Sequence, residues 1–238
     1  FGNQLFKLCF ANNLKRKGHE VAVDTSNYNF PDNSEISKRE IVIPIKEFGF
    51  ENNNNKVFNF YSNLSKYRKN SFKNYKISRF KKFNDVNYRE DKLGKYNFFV
   101  GYWQDIKLIS ENKDFLIQCL SKNKSINEGL NNKPKISETL LHVRRGDYLI
   151  MKEELKIDYY KKAIEKASKQ ITGFEFNIFT DDIDWVKKHK IFNSAKNINY
   201  SSNSKKDTIN TFSEMLKHNN FIISNSTFSL IPAILKEN

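Results

Sequence analysis

At 238 residues, 38% hydrophobic and 14% aromatic, the chain has room for one large domain or two small ones, each with a packed core. Its two cysteines, Cys9 and Cys119, sit in apolar helical patterns without metal-ligand spacing or a disulfide framework, which fits a reducing, cytoplasmic setting; no stretch approaches the ~20 apolar residues of a membrane span. A formal net charge of +14 implies attraction to nucleic acid, an anionic membrane or phosphorylated substrates, although heavy joint use of Lys, Asn and Ile is also what an AT-rich genome yields without functional cause.

No signal peptide is visible, but the first residue is Phe rather than Met, so an upstream segment is left open. Gly2-Asn3 runs straight into a helical pattern, with Leu5, Phe6, Cys9, Phe10 and Leu14 on one broad face. Lys15, Arg16 and Lys17 complement the helix dipole in the last turn, and Gly18 follows as a stop. A helix so near the start calls for a strand before it, so a preceding strand is expected upstream. Gly2 and Asn3 would then lie on a strand-to-helix turn whose N–H groups face a ligand, the alternative being a plain helix cap. His19 to Asp24 reads as a strand, and Ile41 to Ile45 as another short one.

Asn52 to Asn55 is a polar tract. From Phe58 to Tyr96 aromatic residues interleave with Lys and Arg, as in Tyr67-Arg68-Lys69 and Phe80-Lys81-Lys82-Phe83. Such a segment can bind single-stranded nucleic acid by stacking and charge. The commoner arrangement is an aromatic-faced helix with a solvated basic face. Phe98 to Trp103 reads as a buried strand, and Asp105 as the cap of a helix running to about Lys122. Residues 123–135, rich in Asn and Lys and containing Pro134, read as a linker. They divide the chain into residues 1–130 and 131–238.

Beyond the linker, strands are predicted at Thr139–Val143, Phe174–Thr180, Ile198–Ser201 and Phe221–Ser224. They alternate with helices carrying Tyr160, Ala163, Ile164 and Ala167, then Trp185 to His189, then Ile209, Phe212 and Leu216. Asp158 and Ser204 are read as caps. A last helix follows Asn225-Ser226-Thr227. Four such alternations predict a parallel, doubly wound α/β sheet.

The first of these strands ends unusually, in His142-Val143-Arg144-Arg145-Gly146-Asp147-Tyr148. Strand side chains alternate faces, so His142 and Arg144 share one. Ligands of open α/β sheets bind at the carboxyl ends of strands, and a guanidinium fork suits phosphate. The favoured reading is a phosphate-bearing ligand held by Arg144 and His142; a structural pair such as Arg145 with Asp147 is the alternative. Asp181 and Asp182 end the second strand. Asn225, Ser226 and Thr227 end the fourth, at a helix start suited to phosphate. Together these edge residues point to a nucleotide pocket.

Gly2-Asn3-Gln4-Leu5-Phe6, the His142–Tyr148 block, Phe179-Thr180-Asp181-Asp182-Ile183-Asp184-Trp185-Val186-Lys187, and Lys217-His218-Asn219 through Ser229 occur in that order. The set resembles the bacterial α-1,2-fucosyltransferases of glycosyltransferase family 11, the H-x-R-x-G-D block being its most specific part. Two departures stand out. Leu230-Ile231-Pro232-Ala233 replaces a Trp-rich stretch, and relatives usually continue beyond the last helix.

The resemblance implies a GT-B-like pair of Rossmann-like α/β domains, with the donor nucleotide bound mainly by the C-terminal one. It implies GDP-fucose as donor substrate, no cofactor, no required metal, and inversion at the fucose anomeric carbon. Carried onto this chain, Arg144 would neutralise the pyrophosphate with His142 beside it. Asp181 or Asp182 would lie near the guanine, Asn225, Ser226 and Thr227 would bind phosphate, and Gly2 and Asn3 would approach the donor sugar or acceptor. Asp147 or Glu153 is the nearest candidate base, and Asp147 is equally placed to pair with an arginine and fix the loop. The acceptor would be a galactose-containing oligosaccharide or lipid-linked glycan. The setting would be cytoplasmic, with peripheral contact at the anionic inner face of the plasma membrane, and no nucleic acid is expected. The remaining alternatives are a transferase of the same fold with another donor or linkage, a metal-dependent transferase using Asp181-Asp182, and a nucleic-acid binder using residues 58–96. The last would bind RNA or single-stranded DNA in a salt-sensitive way that survives Arg144→Ala.

Overall fold

The structure, a computed structural model, describes residues 1–25, 40–51, 80–133, 135, 137–202 and 204–237. The Asn52–Asn55 tract, residues 58–79 of the basic-aromatic segment, and Pro134 lie outside them. The described part is a mixed α/β structure with two parallel sheets.

Helix α1 (Gly2–Arg16) follows its predicted stripe, burying Leu5, Phe6, Leu8, Cys9, Ala11 and Leu14. It begins earlier than expected, so Gly2 and Asn3 occupy its first turn rather than a turn preceding it. The strand expected at His19–Asp24 is reduced to one bridge, Val23 N–H donating to Glu51 O at 3.2 Å. The segment 41–45 is likewise no strand but leads into a 3-10 turn, Ile45–Phe48.

Strands β1 (Phe80–Phe83) and β2 (Tyr96–Phe99) form a two-stranded parallel pair. β2 stops before the predicted end at Trp103, and the residues beyond it are not a buried strand: Val100 is 56% and Tyr102 44% exposed. Asp105 caps α2 (Ile106–Glu111), accepting from Lys107 N–H. The single helix expected to Lys122 is broken at Asn112, where α3 (Lys113–Leu120) begins. Asn112 is buried, and its carboxamide is satisfied by Leu108 O and by Asn12 and Asn13 of α1. Nor is the segment 123–135 an open linker. It holds α4 (Lys124–Asn131), capped by the Asn123 side chain and packed on a later helix through the Ser213 hydroxyl, which donates to Ser125 O.

The larger sheet contains β3 (Glu138–Val143), β4 (Glu175–Thr180), β5 (Asn197–Tyr200) and β6 (Asn220–Ile222). Helices α5 (Gly146–Met151) and α6 (Ile157–Gln170) join β3 to β4, and α7 (Ile183–Lys188) joins β4 to β5. Helix α8 (Lys205–Met215) leads to β6 and α9 (Thr227–Lys236) follows it. Ser204 caps α8 as predicted. Asp158 is no cap: it lies in the first turn of α6, whose capping residue is Lys156.

The strand order is β5–β4–β3–β6, all parallel. The chain therefore adds strands to one side of β3, then crosses back to the other. The point of reversal, outside the carboxyl ends of β3 and β6, is where open sheets of this kind bind ligands. Alternation sends Leu141 and Val143 to one face, with Tyr160 and Ile178. Leu140 goes to the other face, with Phe179, Met215 and Phe228. Helix α9 belongs to this half by sequence but is buried elsewhere. Its Ile231, Ile234 and Leu235 join Leu5, Phe6 and Ile109 in one core cluster. Each such side chain contributes about 1.5–3 kcal/mol when fully buried.

Candidate active site

A cleft opens at the sheet's point of reversal. It is lined by the start of α1 (Phe1, Gly2, Asn3, Gln4, Lys7), by the end of β3 and the turn into α5 (His142, Arg144, Asp147, Tyr148), and by Ser226, Thr227 and Phe228 at the start of α9. Eight of the ten candidate residues therefore converge: Gly2, Asn3, His142, Arg144, Asp147, Asp181, Ser226 and Thr227. Asp182 and Asn225 do not line it.

Two helix starts meet here because Gly2 has no side chain. A β-carbon at that position would lie 2.6 Å from the backbone of Thr227. Asn3 locks the contact: its Oδ1 accepts from Thr227 Oγ1 at 2.9 Å and from Gln104 Nε2 at 2.7 Å. First-turn N–H groups lack intrahelical acceptors, so paired helix starts favour an anion.

Arg144 is held by two carboxylates. Its Nε and Nη2 donate to Asp147 Oδ1 at 3.1 and 2.7 Å, and Nη1 lies 3.0 Å from Asp181 Oδ2. Even with all three contacts counted, two of the guanidinium's five N–H donors remain. The structural pairing of Asp147 weighed as an alternative is thus made, with Arg144 rather than Arg145. Arg145 instead pairs with Asp182 at 3.0 Å and lies over the Trp185 ring, 4.3 Å from its centroid.

Asp181 fixes the turn after β3. It accepts from the backbone N–H of Arg145 at 2.8 Å and of Gly146 at 3.0 Å, in addition to its contact with Arg144. Gly146 permits this approach, since a β-carbon there would stand 2.6 Å from Asp181 Oδ2. Asp182 caps α7 through Trp185 N–H at 2.9 Å. Both candidates for the one carboxylate expected beside the guanine are therefore engaged by protein donors. Asn225 is turned the same way, its Nδ2 donating to Glu153 O at 2.8 Å, while the Tyr148 hydroxyl donates to Asn225 O. Ser226 caps α9 by accepting from Phe228 N–H.

His142 is buried beneath this layer, its Nδ1 2.8 Å from Ser229 Oγ and 2.9 Å from Ser224 Oγ. Burial, reinforced by the nearby Arg144 cation, pushes its pKa down from 6.5 to about 3. It is neutral at physiological pH, so it orders the serines rather than supplying a cation for phosphate. The unfolded chain binds this proton between pH 6.5 and about 3 and the folded chain does not, so the contribution to stability is complete above pH 6.5 and is lost as pH falls. Denaturant titrations at a series of pH values are expected to show wild type losing up to about 1.4 kcal/mol per pH unit in that window relative to His142→Asn. Parallel pH profiles would refute the assignment.

Reading the sequence missed part of the lining: Phe1, Gln4, Lys7, Glu40, Val42, Tyr102, Ser201, Ser202, Lys205 and Thr208. For the last four a signal existed, since they follow the third strand of the same sheet at the same edge. Tyr102 and Lys7 come from distant segments, and only the fold brings them in. The alternative base candidate, Glu153, is exposed and outside the lining. The charged side chains of the lining balance, Lys7, Arg144 and Lys205 against Glu40, Asp147 and Asp181, so attraction for an anion rests on directed donors, those that Arg144 keeps and the helix starts. Among the described residues, no group of three or more His, Cys, Asp or Glu is placed to hold a metal ion.

The family model described as glycosyl transferase family 11 matches residues 33–238. The chain belongs to that family. The match contains β3, the Arg144 turn and the start of α9, while the Gly2–Phe6 helix start lies before it. The chain is 30% identical over 153 residues to an alpha-1,2-colitosyltransferase of Escherichia coli, covering 58% of this chain and 51% of that protein. It is 32% identical over 145 residues to the O-antigen biosynthesis glycosyltransferase WbnK of Escherichia coli, covering 54% and 47%. The aligned region thus spans about half the length of either relative. No solved structure matches the chain.

Proposed function

We propose that the chain is an inverting transferase that moves L-fucose from GDP-fucose to the 2-hydroxyl of a galactose-type unit in a bacterial surface glycan such as O-antigen. The observation that carries this reading is the convergence of the Arg144 guanidinium with the starts of α1 and α9 at one sheet edge. The names of the two relatives support the linkage and the glycan class. In a GT-B-like arrangement, residues 131–238 hold the nucleotide and residues 1–130 face the acceptor.

In the reaction, the acceptor oxygen bonds to the anomeric carbon as the carbon–oxygen bond to GDP breaks. The electron pair leaves with the diphosphate, and the hydroxyl proton passes to the departing phosphate oxygen or to water. Arg144's remaining donors and the α9 start, with its Ser226 and Thr227, meet the developing charge in fixed positions. Asp147 holds the guanidinium, and Asp181 holds the turn that carries it. We infer a metal-independent reaction, in which transfer persists in EDTA. No helix among the described residues is long and apolar enough to cross a membrane. The chain's +14 charge suits a lipid-pyrophosphate-linked acceptor at an anionic cytoplasmic membrane face.

One relative's name favours a second donor. Colitose is fucose without its 3-hydroxyl, and a site that hydrogen-bonds that hydroxyl discriminates strongly against the sugar lacking it. Thermal-shift measurements with GDP, GDP-fucose, GDP-colitose, GDP-mannose and UDP-sugars test the reading. Stabilisation by GDP ligands alone, largely lost in Arg144→Ala, is the expected result, and the relative shifts of the fucose and colitose donors separate the two sugars. An equal response to UDP-sugars would remove the guanine assignment.

A further inference from the structure

The Gly101-Tyr102-Trp103 turn is built with more constraint than a connection needs. Trp103 has φ 57°, a left-handed conformation that bulky residues rarely adopt and that is held only where surroundings over-determine it. The surroundings are identifiable. Asp85 Oδ2 accepts from the backbone N–H of both Tyr102 and Trp103, each at 2.9 Å. The Trp103 ring is stacked on Phe10 of α1, centroids 3.9 Å apart and nearly parallel, and is buried. Clamped from both sides, the turn turns the intervening side chain outward. Tyr102 is 44% exposed and lines the cleft that contains Arg144. Lys7 Nζ lies over its ring, 5.2 Å from the centroid.

We infer that Tyr102 is the stacking platform of an acceptor subsite, and that its ligand is a hexopyranose of galactose type. The inference rests on the transferase reading above. One face of a galactopyranose ring presents several C–H bonds together and packs against an aromatic ring, while its hydroxyls point outward to polar partners. Around Tyr102 those partners are Lys7, an ammonium donor, with the Asn3 carboxamide of the same helix start on the cleft wall, whereas Gln4 is engaged by Glu40 O and Val42 N–H. Asn3 is itself fixed by Thr227 and Gln104. The strained turn thus sets the ring before any sugar arrives. The acceptor enters over the N-terminal wall, facing the diphosphate site at Arg144.

Steady-state kinetics of the full chain with Tyr102→Ala and Tyr102→Phe test this, using a galactoside acceptor and the nucleotide-sugar that wild type accepts. Tyr102→Ala is expected to raise the acceptor KM about tenfold, leaving the donor KM and the GDP thermal shift unchanged. Tyr102→Phe keeps the ring and is expected to behave as wild type. An unchanged acceptor KM in Tyr102→Ala, or equal losses for donor and acceptor, overturns the subsite. Wild type that transfers no sugar from any GDP donor, by contrast, overturns the transferase reading itself.

Discussion

Replacing Arg144 by Ala is expected to lower kcat/KM about 100- to 1,000-fold, the cost of removing one preorganised donor from a developing anion. The expectation follows from how the guanidinium is held. Its three contacts with Asp147 and Asp181 immobilise it, so in the proposed transfer its remaining donors would need no reorganisation as a diphosphate departs. Removal has a second effect, because both carboxylates then face the diphosphate without their cation. Arg144→Lys restores a charge but not the fork that spans two acceptors, so it is expected to recover only part of the loss. Steady-state kinetics on both variants provide the check. Activity of Arg144→Ala within tenfold of wild type would show that the leaving group is stabilised elsewhere.

Asp181→Ala is the substitution expected to harm stability most, by about 3–5 kcal/mol, because it strips the acceptor from an ion pair and from two backbone donors at once. The side chain is only 10% exposed, so water replaces it poorly. For a chain of this size that corresponds to a fall in Tm of about 6–20 °C. Asp182→Ala, which removes a helix cap and a more exposed pair, is expected to cost about 1 kcal/mol. Calorimetry on the two variants separates them. Equal losses would mean that the turn after β3 does not depend on Asp181.

Strands β3 and β4 were legible because parallel strands buried on both faces read as short, mostly apolar runs, as in Leu140–Val143 and Phe176–Phe179. The caps at Asp105 and Ser204 were legible for a local reason: a short polar side chain before an apolar stripe has one obvious use. Helix α4 was hidden by its Asn-rich composition. Its stripe is carried by Ile126 and Leu130 alone, and packing on α8 stabilises what propensity does not. Asp181 and Asp182 were placed at the correct edge from sequence, but their partners were not foreseen. Whether a carboxylate meets a base or a backbone N–H depends on the path of the neighbouring turn, and α5, which sets that path, was not predicted. Tyr102 was out of reach for a similar reason. Its exposure depends on a left-handed residue that no composition rule marks.

The burial of α9 bears on how such transferases can be recombined. Its apolar side chains rest on Leu5, Phe6 and Ile109, across any seam drawn near residue 130. A chimera joined at that seam would pair a final helix with a first helix it did not evolve beside, and the mismatch would fall at the contact between Gly2 and Thr227. If the α1 side of the cleft takes the acceptor, as proposed, exchanging acceptor preference between relatives means transplanting the first and last helices as a matched set.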